Sequence, residues 1–161
     1  MFKLYNWKEP LFKKDLIAVI INGLIFGILG GILAGVLDYL MLMINFSISF
    51  GLIILTYMIG IKVRKSFYSY HILYPVLGLA FLALGLFISY ATFYFVAFKF
   101  DAFIFFIDPF FYLNFLLKPA NGIINFFTNG YNPLSLILGI LNVIIYIWAF
   151  VFCYRLIKGR N

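Results

Sequence analysis

The stretch LIAVIINGLIFGILGGILAGVL, Leu16–Leu37, carries no charge and sets Gly23, Gly27, Gly31 and Gly35 at strict four-residue spacing. As a helix, its 22 residues cover about 33 Å, enough to cross the ~30 Å hydrocarbon core of a bilayer. Gly30 and Ala34 lie beside the row, so small residues cut a groove along the helix. In lipid no hydrophobic force pulls helices together, and close backbone approach at small residues takes its place. The stretch predicts a membrane helix built to receive another helix.

Composition extends this reading to the whole chain. Of 161 residues, 66% are hydrophobic and 11% charged, whereas soluble domains carry roughly 25% charged residues. A soluble fold is excluded. Cys153 is the single cysteine, so neither an internal disulfide nor a cysteine-based zinc site can form. The net charge of +7 gathers at the ends of apolar runs, which points to membrane topology and away from nucleic acid. Lys3, Lys8, Lys13 and Lys14 precede the first run as in a signal peptide. That run, however, exceeds the ~7–15 residues of a signal core, and we expect it to be retained as a span.

Charge bounds four spans, at about residues 16–37, 42–61, 72–98 and 134–154, within a single membrane domain over 1–161. The expected fold is all-α: a polytopic membrane protein with a four-helix transmembrane bundle. The first connection should be a tight turn centred on Asp38 and Tyr39, with Asp38 solvated at the span end. One side holds ten basic residues, namely the four N-terminal lysines, Lys62, Arg64, Lys65, Arg155, Lys158 and Arg160; the other holds Lys99 and Lys118. By the positive-inside rule both termini should be cytoplasmic. Trp7, Tyr68, Tyr70, Tyr74 and Tyr154 would form an aromatic belt on that side.

Residues 99–133 form the least ordinary segment. Asp108-Pro109 reads as a helix start, with the carboxylate as cap and proline at the first helical position. Asn114, Lys118, Asn121, Asn125 and Asn129 then recur at helical spacing opposite Phe110, Phe111, Phe115, Leu116, Ile123, Phe126 and Phe127. Pro119 should split this helix in two. The segment is expected to lie in the membrane interface or to re-enter the bilayer.

The later spans carry small or polar rows too. Gly78, Gly85 and Thr92 repeat every seven residues, joined by Ser89; Ser135, Gly139, Asn142, Tyr146, Ala149 and Cys153 form a heptad seam. The glycine row of span one should pack most simply on span two, where Ser47 and Gly51 supply a matching small pair. Asn22 and Asn142 are expected to make interhelical hydrogen bonds of ~0.6 kcal/mol each. Candidate packing residues are thus Gly23, Gly27, Gly30, Gly31, Ala34, Gly35, Ser47, Gly51, Gly78, Gly85, Gly139 and Asn142. His71 stands without the further ligands that zinc requires. Asp101 and Asp108 are an acidic pair without His or Cys nearby. No catalytic, metal or cofactor site is expected.

The small-residue-rich first span, Tyr39 after it, and the exit Gly60-Ile61-Lys62-Val63-Arg64-Lys65-Ser66 together resemble a pattern in bacterial multi-pass membrane proteins of unassigned activity. Those often read Gly-x-x-Val-Arg-x-Gly-Ser at this exit; here the second glycine is missing. The resemblance covers roughly residues 23–90 and implies a further span beyond, with no activity to carry over. The functional expectation is a non-enzymatic accessory or assembly subunit in a bacterial cytoplasmic membrane, meeting a membrane-protein partner or its own copies. The alternative is a small transporter or oligomeric channel.

Overall fold

A computed structural model describes residues 11–44, 49–99, 102–128 and 133–159, and these are mostly helical, with no strand among them. Ser47, Asp101, Asn129, Arg160, Trp7, Lys3 and Lys8 lie outside the described residues. The helices are α1 (Lys13–Met43), α2 (Phe50–Arg64), α3 (Leu73–Phe98), α4 (Ala102–Ile107), α5 (Pro109–Leu117), α6 (Asn121–Thr128) and α7 (Pro133–Lys158). A 3-10 turn at Lys118–Ala120 separates α5 from α6, at the position where Pro119 removes a backbone donor. Among the described residues three helices, α1, α3 and α7, are long and apolar enough to cross a membrane.

Contacts fix the directions of the helices. Gly23 meets Phe81, Gly31 meets Gly85 and Ile88, and Gly35 meets Ser89 and Thr92, so α1 and α3 run parallel. Gly51 of α2 meets Ala34, and Leu55 meets Gly30, so α2 returns antiparallel to α1. Gly60 of α2 touches Leu156, and Gly78 of α3 touches Ile157, which brings the last turns of α7 beside the end of α2 and the start of α3. Lys13, Lys14, Lys62, Arg64, Lys65, Arg155 and Lys158 therefore share one end of the molecule, and Asp38, Lys99, Asp108 and Lys118 sit toward the other.

The core lies along α2. Leu52, Leu55, Ile59 and Val63 recur every three or four residues and are fully enclosed, against Val19 and Ala34 of α1, Leu82 and Leu86 of α3, and Ala149, Cys153 and Ile157 of α7. Thr56 is buried with them and donates to the Leu52 carbonyl at 2.7 Å, which satisfies its hydroxyl. The outer faces are apolar as well. Leu134, Ile137, Leu141, Ile144, Trp148 and Val151 form one exposed stripe on α7. Only 17% of the most apolar stretch of α7 is buried, against 39% for that of α3. Such faces are stable where lipid replaces water.

Three expectations are corrected here. Helix α1 does not stop at Asp38 but continues to Met43, 31 residues in all, about 46 Å; the connection is no tight turn at Asp38 and Tyr39. Helix α2 starts at Phe50 instead of near residue 42 and has 15 residues, about 22 Å. Helix α5 is not two-faced: Phe111 is buried, yet Phe110 and Leu116 on other sides are exposed. The start of α5 follows its sequence signal, since Asp108 accepts from the Phe110 amide at 2.9 Å with Pro109 at the first helical position.

Candidate functional site

The densest polar contact forms where α1, the start of α2, α3 and the 3-10 turn meet. Asp38 is the centre. Its Oδ2 accepts from the Ser49 hydroxyl at 2.8 Å, its Oδ1 from the Gly51 amide at 3.2 Å, and the Lys118 ammonium lies 3.5 Å from Oδ2. The Asp38 side chain is 9% exposed and that of Lys118 27%. The Lys118 ammonium also stands over the Tyr90 ring, 5.6 Å from its centroid, and the Tyr90 hydroxyl donates to that of Tyr94 at 3.1 Å.

This geometry explains why Asp38 does not end α1. A carboxylate marks a span end when only water can solvate it. Here Ser49, Gly51 and Lys118 replace water, and the helix continues. Asp38 in turn supplies the cap that Ser49, at the N-cap of α2, does not make with its own side chain, and a negative charge there complements the helix dipole. Asp38 is thus no solvated turn residue but a latch between helices.

A second polar set holds the opposite end. Asp15, in the first turn of α1, is 8% exposed; its Oδ2 accepts from the Tyr68 amide at 3.2 Å and the Ser69 amide at 3.5 Å. The His71 Nδ1 accepts from the Leu73 amide at 3.2 Å, closing the start of α3. Phe67 stacks on Tyr74 at 4.6 Å between centroids, and the Arg64 guanidinium lies 5.0 Å from the Phe67 ring centroid. Asp15 stands directly before the apolar run that opens at Leu16, and that place is the signal that it could serve the neighbouring loop. Asp15→Ala is expected to cost ~1.5 kcal/mol, the low end for hydrogen bonds to a charged group, because the bonds are long. Faster proteolysis in the 65–72 loop together with a lower melting temperature would register it. Asp15→Asn keeps an acceptor and should lose less.

The small residues predicted to pack are all enclosed where they are described. The strict row of α1 faces α3, however, and not α2. A Cβ at Gly31 would stand 2.6 Å from the Gly85 carbonyl oxygen, and at Gly27 3.2 Å from that of Phe81. Gly30 and Ala34, one step around the helix, receive Leu55 and Gly51 of α2. The reason is shape: α2 turns bulky Leu52, Leu55 and Ile59 inward, whereas Gly85 and Ser89 let the α3 backbone close on the glycines. Gly78 belongs elsewhere, against Ile157. Gly139 packs on α6, where a Cβ would stand 2.9 Å from the Gly122 Cα. Asn142 is half-buried on the same seam, and Asn22 donates to the Ser66 hydroxyl at 2.9 Å.

The row Asn114, Lys118, Asn121 and Asn125 does not act as one surface. Lys118 turns toward Asp38, while the three asparagines are exposed. Sequence reasoning did not join Asp38 to Lys118, eighty residues apart; their isolation within apolar surroundings is the signal that links them. Among the described residues no three His, Cys, Asp or Glu side chains gather to hold a metal. Comparison with protein-family models, curated proteins and solved structures finds no match.

Proposed function

We propose that the chain is a four-span membrane protein with both termini cytoplasmic, acting without catalysis as an accessory or assembly subunit of a bacterial membrane complex. The segment between spans three and four, described over 102–128, then lies in the outer interface or re-enters the bilayer. The four-span reading is supported by levels: Ser49 contacts Asp38 and Tyr68 contacts Asp15, so the α2 segment covers the same thickness as the intervening length of α1. The basic end faces the cytoplasm on this reading. Reporter fusions after Gly159 and within 129–132 test it: cytoplasmic and external signals respectively are expected, and an external C-terminal signal overturns it.

The observation that carries the functional reading is the filling of the glycine groove from within the chain. With Gly23 to Gly35 occupied by α3, those residues are not left over to line a homo-oligomeric pore. Exposed apolar faces remain on both α1 and α7; the α7 stripe, the less buried of the two, is the one assigned to a partner. Photo-crosslinkers at Ile144 and Ile147 should capture one discrete membrane protein, and equivalent probes at Ile28 on α1 only lipid. Crosslinks to lipid alone from every position overturn the partner reading. One observation favours the alternative of a small transporter: the enclosed Asp38–Lys118 pair, since charges at membrane depth commonly line transport routes. Solute flux by the pure protein in liposomes that Asp38→Asn abolishes would establish it.

A further inference from the structure

We infer that the groove between α3 and α7 at the basic end is a binding site for an anionic phospholipid of that leaflet. The groove has a volume of about 380 Å³ and is lined by Leu79 of α3 and by Phe150, Val151, Tyr154, Arg155 and Lys158 of α7, within the size of small-ligand sites. Its chemistry is graded along the helix axis. Leu79, Phe150 and Val151 make the deeper wall; Tyr154 and Arg155 stand one turn nearer the helix end, and Lys158 a further turn on. From Phe150 to Lys158 the rise is about 12 Å.

That order matches a phospholipid read from acyl chain to phosphate. Tyrosine offers an apolar ring and a polar tip, and the cationic side chains close the site at headgroup level. Val151 is 46% exposed, so the apolar wall opens sideways to the surrounding chains. Arg155 is exposed and has no ion-pair partner among the described residues. The Lys158 ammonium stands at the rim, 6.0 Å from the Tyr154 ring centroid. Gly159, with φ at +76°, ends α7 directly after it and donates to the Arg155 carbonyl at 3.1 Å. Free phosphate would use the rim alone; the contiguous apolar wall selects a lipid.

The inference rests on reading α3 and α7 as membrane spans, which the reporter fusions test separately. Native mass spectrometry of the full chain, released from nanodiscs of mixed phosphatidylglycerol and phosphatidylcholine, counts the retained lipid. At least five-fold preferential retention of phosphatidylglycerol is expected. Arg155→Gln with Lys158→Gln should abolish the preference, and Val151→Trp, which blocks the wall but keeps the charge, should reduce retention by a similar factor. Lys14→Gln with Lys65→Gln makes the same charge change at the same end and should leave it intact. Equal loss in both charge pairs would mean diffuse surface attraction and overturn the site. So would retention unaffected by Val151→Trp, or competition by inorganic phosphate at equal concentration.

Discussion

Gly31→Leu is expected to insert into the membrane normally and yet lose most of the stability of the bundle. Insertion should improve, because leucine at a span centre is favourable by about 0.5 kcal/mol. Intrinsic helicity should also rise, by somewhat under ~1 kcal/mol. Against both stands the neighbour: the first added carbon would lie 2.6 Å from the Gly85 carbonyl oxygen and 2.9 Å from the Ile88 Cβ. A flexible side-chain tip could move away; backbone and a β-branched carbon cannot without parting α1 from α3. The cost should reach or exceed the upper end of the ~1–3 kcal/mol typical of overpacking. Gly27→Ala, with 3.2 Å to the Phe81 carbonyl, should cost much less. Gly30→Ala should be mild as well, because its nearest neighbour is the Leu55 Cδ1 tip at 2.9 Å. Melting in detergent would give this order, and equal melting of Gly31→Leu and wild type would mean that α3 does not occupy the groove.

Asp38→Ala should be the most damaging change to a polar side chain. It removes the cap of α2, worth up to ~2 kcal/mol, and leaves Lys118 without its carboxylate among aromatic rings. Together these should cost ~3 kcal/mol, within the range for breaking an enclosed pair. Lys118→Gln should cost at most ~1 kcal/mol, since the ammonium is 27% exposed and 3.5 Å away. Ser49 and Gly51 still satisfy the carboxylate in that variant. This asymmetry follows from Asp38 serving α2 first and Lys118 second. Equal losses from both variants, measured by chemical unfolding in one detergent, would contradict it.

Helix type and composition were legible because period and apolarity survive any packing arrangement. The start of α5 was legible too, because Asp108-Pro109 acts within one turn. The end of α1 was not, because whether Asp38 stops a helix depends on Ser49, Gly51 and Lys118, brought to it only by the fold. The partner of the glycine row was hidden by a similar cause. Sequence neighbours α1 and α2 do touch, but the four-spaced row needs a backbone that can approach, and Gly85 with Ser89 provides it fifty residues further on. Those residues were visible as a small row on α3; what the sequence could not show is which of two candidate rows meets which. The polar stripe of 114–125 misled because periodicity alone does not say that Lys118 turns inward while its asparagine neighbours face out.

Helix α3 of the same chain closes the groove of α1. A Cβ at Gly27 would stand 3.9 Å from the Phe81 Cβ, close to the mean separation in a disulfide. Gly27→Cys with Phe81→Cys, in a Cys153→Ser background, can therefore be oxidised in native membranes containing two differently tagged copies. Rapid formation of a disulfide within single chains is expected, with no mixed-tag dimer. A mixed-tag disulfide dimer as the main product would place another copy in the groove and contradict it.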